Sequence, residues 1–273
     1  MAFCIAFRTP VREDGDVARY EDEVMNAVGL RGTVSVGELA ALLDVSEQTV
    51  RRIVKPMVAR GDVEKVHGAI VATNRTGSAA ALGQAPFLTR MNVNQRAKVA
   101  IATEVAAMIT DGDTIALDTG STTGFIAQAL RQHRGLTVVT NSSFIATSLA
   151  TIPGNRVHMA GVELRNHDGA SFDRSAFAVV AAMRVRWAIL STSAVDRRRG
   201  CMVHELCEAE MSATMGDIAD MRIVAVDHTK FDMSGLVAMA PLRTGDVVVS
   251  DRAAPRGFAR VLAPAVVRVA QAS

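Results

Sequence analysis

The chain has 273 residues, room for a small domain beside a medium one. A net charge of +2 and an aromatic content of 4% exclude a uniformly basic nucleic-acid binder and a single-strand binder built on stacked rings, so any charge meant for DNA has to be local. No apolar run reaches the roughly 18 residues of a membrane span, the apolar start MAFCIAF lacks the basic flank of a secretion signal, and three cysteines fit a reducing compartment; a cytoplasmic protein without membrane contact is expected.

Residues 1–15 read as a tail and residues 16–72 as a compact helical unit closed by a hairpin. Ser35 is placed to cap a helix whose apolar side is Val36, Leu39 and Ala40, and a turn at Leu43-Asp44-Val45 follows. Ser46 caps the next helix, with Glu47 in its first turn, near the positive helix end. There Val50, Ile53, Val54 and Met57 recur at helical spacing, to pack on the first helix and on Val24 and Val28. Gln48, Thr49, Arg51, Arg52 and Lys55 are left for the other faces, and residues 46–60 carry a surplus of three positive charges. Pro56 lacks an amide proton, so the spacing predicts a helix that bends or stops near Lys55. Residues 62–66 and 69–72 read as a hairpin with Lys65 and His67 at its tip.

In a helix-turn-helix the start of the second helix enters the major groove, where Gln and Arg pair with base edges while Thr and Lys serve phosphates. A plain helical hairpin with a solvated basic face is the bland alternative. Cap, turn, basic helix and hairpin in this order favour a winged helix-turn-helix that binds double-stranded operator DNA. The expected contact set is Ser35, Ser46, Gln48, Thr49, Arg51, Arg52, Lys55, Lys65 and His67.

Residues 73–89 have linker composition, and from residue 90 to 273 helices alternate with short β-branched strands, the pattern of an α/β domain with a mostly parallel sheet. Strands are expected at Thr114–Asp118, Thr137–Thr140, Arg156–Met159, Trp187–Ser191, Arg222–Val226, Val247–Ser250 and Val266–Val269. The first ends in Asp118 and runs through Thr119-Gly120-Ser121-Thr122-Thr123 into a helix, an anion site built from amides and hydroxyls. No Gly-Lys-Ser/Thr follows, so nucleotide hydrolysis is not implied. Asn141 and Ser142 end the second strand. Asp227 and Lys230 end the fifth, to accept sugar hydroxyls and to pair with an anion respectively. Residues 199–210 read as a lid. Cys201, His204 and Cys207 offer three zinc-type ligands at suggestive spacing but no evident fourth, so ordinary thiols are the better reading. Asp111 and Asp113 read as a turn, and Arg197-Arg198-Arg199 as a solvated loop.

Both halves resemble the DeoR family of bacterial transcriptional regulators. The N-terminal likeness rests on Glu38-Leu39-Ala40, Val45-Ser46, Thr49, Arg51-Arg52, Gly61 and Val66-His67-Gly68, with Ile53 where the family usually has Asp. The C-terminal likeness rests on Arg90, Asn94, Lys98, Asp111-Gly112-Asp113, Asp118 to Thr123, Leu136 to Ser142, Gly161, Glu208, and Asp227 with Lys230-Phe231. The resemblance implies a sensor domain similar to phosphosugar isomerases, with the Gly120–Thr123 loop on an effector phosphate and Asp118, Asn141 and Lys230 around the sugar. The expected effector set is Asp118, Gly120, Ser121, Thr122, Thr123, Asn141, Ser142, Glu208, Asp227 and Lys230. The function so implied is a homodimeric or homotetrameric repressor of a carbohydrate-utilisation operon, controlled by a phosphorylated sugar or polyol. No cofactor, metal or catalytic residue is expected. The alternative is a phosphosugar isomerase with an added N-terminal domain.

Overall fold

The computed structural model describes residues 20–21, 23–25, 27–28, 33–60, 62–66, 69–72 and 87–271. The chain divides into two compact units, Met1–Gly77 and Ser78–Ser273.

In the first unit, strand β1 (Thr33–Ser35) leads into helix α1 (Val36–Leu42), and helix α2 (Glu47–Arg60) follows the turn. Asp44 turns the chain with a left-handed φ of 50°. Strands β2 (Val63–Val66) and β3 (Ala69–Ala72) form an antiparallel hairpin, with β1 on the outer side of β3. Leu39, Val50, Ile53, Val54 and Met57 share one core with Val24, Val28, Val34, Val63 and Ile70, so helices and hairpin bury a common apolar interior. This is a winged helix-turn-helix.

Helix α2 corrects the expectation of a stop near Lys55: it runs through Pro56 to Arg60. Pro56 lies on the exposed face, where the carbonyl left without an amide partner is open to water. Its neighbours Ile53, Val54 and Met57 are buried and hold the backbone helical from the other side.

The second unit opens with helix α3 (Phe87–Asn92), so the expected linker gives up its last three residues to a helix; residues 73–86 lie outside the described residues. Phe87 is buried and meets Phe144 with ring centroids 5.0 Å apart. Helix α4 (Gln95–Ala106) follows, then β4 (Thr114–Leu117), α5 (Ser121–Ala129), β5 (Thr137–Thr140), α6 (Ser143–Ala150) and β6 (Arg156–Met159). Next come α7 (Arg174–Ala181), β7 (Val185–Ser191), β8 (Ala194–Asp196), β9 (Gly200–Val203), α8 (Leu206–Asp217) and β10 (Ala219–Ala225). The unit closes with β11 (Val237–Ala238), β12 (Val247–Ser250), α9 (Ala259–Leu262) and β13 (Val266–Val269).

All seven expected strands form one parallel sheet in the order β13-β12-β10-β7-β4-β5-β6. Successive residues feed opposite faces: Ile115, Leu117 and Ile189 join the core under α4, α5 and α6, while Ala116, Ala188 and Leu190 join the core under α7 and α8. A sheet buried on both sides accounts for strands that read as continuous apolar runs. At the N-terminal end of β4, Asp113 accepts from the Thr110 amide at 2.9 Å and from Trp187 Nε1 at 3.2 Å, and pairs with Arg186 at 2.8 Å. Asp111 accepts from the Arg134 amide. The pair is a structural turn, as its spacing indicates.

The supposed lid at 199–210 is a correction. Strands β8, β9 and β11 form a second, antiparallel sheet, and Cys201, Met202, Val203 and His204 are buried in it or at its end before α8 begins. Apolar side chains tie this segment into the core, so it is no free flap. Among the described residues no group of three His, Cys, Asp or Glu is placed to hold a metal; burial pushes the Cys201 thiol up to about 11. Arg197 reaches Asp232 with two nitrogens, and the Arg198 and Arg199 amides donate to Asp196 at 2.8 Å. Among the described residues no helix is long and apolar enough to cross a membrane.

Candidate functional site

Ser46, Gln48, Thr49, Arg51, Arg52 and Lys55 line one shallow concavity on the N-terminal part of α2. Ser46 caps this helix: its Oγ accepts from the Thr49 amide at 3.2 Å and lies 2.9 Å from Thr49 Oγ1. Arg51 reaches Glu47 at 3.0 Å across an exposed helix turn, a tie weak enough to open for a base or a phosphate. Arg60 is paired with Glu21 and Asp62, so the positive charge of α2 left for a partner lies in Arg52 and Lys55, with Arg51 behind its exposed Glu47 pair. Lys65 is exposed on β2, and His67 lies outside the described residues. Ser35 sits apart in function: its hydroxyl accepts from the Glu38 amide at 3.1 Å while Glu38 accepts from the Ser35 amide at 2.8 Å, a reciprocal cap on α1.

The second site lies at the C-terminal edge of the parallel sheet. Asp118 follows β4 directly and is 6% exposed. Its Oδ1 accepts from the Thr119 amide at 2.7 Å. Burial, with the nearby Glu208 carboxylate, pushes its carboxyl up to about 8, so it is protonated at neutral pH. Gly120 is needed for close approach: a Cβ there would sit 2.3 Å from Ser191 Oγ and 3.2 Å from Thr123 Oγ1. Thr123 Oγ1 donates to the Gly120 carbonyl at 2.9 Å, closing the first turn of α5. The amides of Ser121, Thr122 and Thr123 thus stand at a helix N-terminus with no side-chain cap.

Asn141 and Ser142 are fully buried after β5; Asn141 Nδ2 donates to the Ser171 carbonyl at 3.1 Å. Asp227 accepts from the Thr229 amide at 3.0 Å and from Asn94 Nδ2 at 3.3 Å. Lys230 is half-buried in the following turn, and burial lowers its pKa. Glu208 accepts from the His204 and Glu205 amides at 3.1 and 3.2 Å and lies 3.7 Å from Arg165. It is a helix-capping residue whose field reaches Asp118.

Three cations stand out beyond the expected effector set. Lys98, almost fully buried, donates its Nζ to the carbonyls of Arg90 at 2.5 Å and Val93 at 2.6 Å, and burial lowers it to about 8. Arg90 on α3 is half-buried, its pKa lowered by burial against the fields of Asp168 and Glu208. Arg165 is occupied by Asp168 and Glu205. Among the described residues, Arg90, Lys98 and Lys230 form no ion pair, and Arg90 Nε, Thr119 Oγ1, Asn141 Oδ1, Ser142 Oγ and His204 Nε2 are buried without a hydrogen-bond partner. Such groups are costly to bury unmet. Arg90 and Lys98 lie on the two helices ahead of the first sheet strand, so spacing alone does not join them to Lys230; only the family pattern marks them.

Comparison with known proteins agrees with this division. Residues 21–76 match the DeoR-like helix-turn-helix domain, and residues 93–252 the DeoR C terminal sensor domain. The HTH-type transcriptional repressor CsqR of Escherichia coli (strain K12) is 31% identical, covering 86% of this chain and 87% of its own. The glycerol-3-phosphate regulon repressor of the same organism is 27% identical over 88% of this chain and 92% of its own. Among solved structures, ribose 5-phosphate isomerase A from Methanocaldococcus jannaschii is similar at a TM-score of 0.37 and 16% identity, over 50% of this chain and 55% of that one, too distant to carry an argument. The sensor match alone spans more than half the chain, and the chain belongs to the DeoR family of transcriptional regulators.

Proposed function

We propose that the protein is a DNA-binding repressor of a carbohydrate-utilisation operon, acting in the cytoplasm as a homodimer or homotetramer and controlled by a phosphorylated sugar or polyol. The DNA contacts are assigned to Gln48, Thr49, Arg51, Arg52 and Lys55 on α2, to Ser46 at its cap, and to Lys65 and His67 of the wing. Ser35 serves by fixing α1, against which α2 is set.

The observation that carries the effector class is the charge balance of the second site. Arg90, Lys98 and Lys230 lack ion-pair partners among the described residues, Asp118 is held neutral, and Asp227, whose hydrogen bonds come from neutral donors, stands as one negative charge against those three cations. The remaining surplus suits a phosphate monoester dianion. Gly120 to Thr123 supply amides and hydroxyls to its oxygens, and Asn141, Ser142, Asp118 and Asp227 offer the mixed donors and acceptors that a polyol chain needs. Glu208 is committed to backbone amides, which favours a binding pocket over an enzyme's proton-transfer site. Ligand control then follows from unequal affinity for the DNA-competent and incompetent states.

The test is a gel shift of the full-length protein on the DNA upstream of its own gene, with and without a panel of sugar and polyol phosphates. The expected result is specific retention that one class of phosphate changes at least fivefold. Loss of all specific binding at low salt refutes the regulator; indifference to every phosphate refutes the effector class.

A further inference from the structure

His204 stands between β9 and α8. Its spacing from two cysteines suggests a zinc-type ligand, but among the described residues no metal-holding group forms around it. The residue is 8% exposed, and its Nε2 is buried without a hydrogen-bond partner among the described residues. A ring nitrogen in that state is costly until something meets it. The backbone fixes where the ring stands. The His204 and Glu205 amides both donate to Glu208 Oε2, at 3.1 and 3.2 Å, and the Glu205 carboxylate is held in turn by Arg165 at 3.1 Å.

The charged groups that act on the ring are Glu208 and Glu205 from the start of α8, Lys230 from the turn after β10, and Arg90 from α3. Glu208 acts on Asp118 as well, and Lys230 on Lys98, so the ring shares the surroundings of the proposed effector site. Thr119, Asn141 and Ser142, beyond the ends of β4 and β5, are also buried, and each carries an oxygen without a partner. Burial, aided by Lys230 and Arg90, lowers the His204 pKa against the pull of the two carboxylates, so the ring is neutral at neutral pH. A neutral imidazole offers either a donor or an acceptor at Nε2, according to its tautomer. A hydroxyl can answer both. A phosphate oxygen calls for donors alone, and the amides of Ser121 to Thr123 stand ready as those.

We infer that His204 is a specificity-determining residue of the sensor: its Nε2 hydrogen-bonds a hydroxyl on the carbon chain of the ligand and so selects phosphorylated polyhydroxy compounds over bare phosphate. This rests on the reading of the sheet-edge groups as the effector site. A ligand with a hydroxyl at that place satisfies the nitrogen. A ligand without one leaves it buried and unmet, and a site built for a hydrogen bond rejects such a ligand strongly.

Full-length wild type, His204→Gln, His204→Phe and His204→Met would be titrated calorimetrically with inorganic phosphate, glycerol 3-phosphate, ribose 5-phosphate and glucose 6-phosphate, and melted without ligand. The wild type should bind at least one organic phosphate more tightly than inorganic phosphate. For that compound His204→Phe and His204→Met should bind about 5–100-fold more weakly, because its hydroxyl is left unpaired, with little change for inorganic phosphate. His204→Gln sets an amide near the place of Nε2 and should stay within about fivefold of wild type. Without ligand, at least one of the two apolar variants should melt at or above the wild type, because the unmet nitrogen is gone; a histidine that only supports the fold would give the opposite. Apolar variants that bind the organic phosphates like wild type, that lose inorganic phosphate equally, or that both melt well below wild type overturn the inference and leave the effector site standing. So does a wild type that binds inorganic and organic phosphates alike. A wild type that binds none of the four overturns the effector reading and the inference with it.

Discussion

The loop at Gly120 offers the sharpest test of the sensor site. In Gly120→Ala the new methyl would lie 2.3 Å from Ser191 Oγ, so either the serine or the whole turn into α5 must move. Overpacking of this kind costs about 1–3 kcal/mol, which in a unit of this size lowers Tm by about 2–12 °C. The obstacle is mostly one atom. With Ser191→Ala the nearest contacts become Ser191 Cβ and Thr123 Oγ1, both 3.2 Å away, which small shifts absorb. Ser191→Ala alone forfeits the bond from Ser191 Oγ to the Thr119 carbonyl at 3.2 Å, about 0.5–1.5 kcal/mol. The double variant should therefore be more stable than the sum of the single losses by at least about 1 kcal/mol, a coupling that urea titrations resolve. Calorimetry with sugar phosphates should show Gly120→Ala at least tenfold weaker than wild type, because the amides of Ser121 to Thr123 no longer converge. Additive stability losses, or wild-type ligand affinity in Gly120→Ala, would refute the account of this loop.

Other consequences are open to direct measurement. Asp118 has a folded pKa raised above its unfolded value, so the folded state binds the extra proton; its stabilising contribution is full at low pH and is lost as pH climbs toward about 8. The Asp118 contribution falls between pH 5 and 7.5 at no more than about 1.4 kcal/mol per pH unit, opposed below about 6.5 by His204, whose pKa burial lowers; in urea unfolding Asp118→Asn should remove the falling part, so that the variant's stability rises relative to wild type across this range. Lys98, depressed to about 8, affects only the range above that window. On DNA, Arg51→Ala should relax sequence preference, whereas Lys65→Ala should weaken all sequences alike and reduce the salt slope by about one; anisotropy titrations at several salt concentrations separate the two. Pro56→Ala restores an amide donor on the exposed side of α2 and should stabilise the DNA-binding unit by up to about 3 kcal/mol in a thermal melt.

Much of this architecture is legible in the order of residues. The seven sheet strands are short apolar runs bounded by turns, and burial on both faces makes them stand out. Ser46 and Ser35 mark their helices because a hydroxyl three residues ahead of a free amide has one obvious use. What escaped has physical causes. The antiparallel sheet of β8, β9 and β11 uses strands of two to four residues, too short for a period to show, and its partners lie far apart in sequence. Pro56 misled because its cost is local while the packing of Ile53, Val54 and Met57 is tertiary. Helix α3 sits at the end of a small-residue stretch, and only the fold reveals that Phe87 reaches the core. Of the proposed effector site, the strand-end residues were readable, but Arg90 and Lys98 lie on helices ahead of the sheet and join it only through the fold.

The turn at the base of β4 has a practical consequence for anyone who works with this molecule. The chain has one tryptophan and one tyrosine. Trp187 belongs to the sensor unit, pinned by Asp113 at the sheet end opposite Asp118 and Asp227, whereas Tyr20 packs against the core of the DNA-binding unit. Red-edge excitation of the indole therefore watches the sensor fold alone, and the shorter-wavelength phenol emission, read after the indole's own contribution is subtracted, watches the other half. One sample, unlabelled, carries a separate optical reporter for each unit, so whether they unfold together or in turn is readable from intrinsic fluorescence alone.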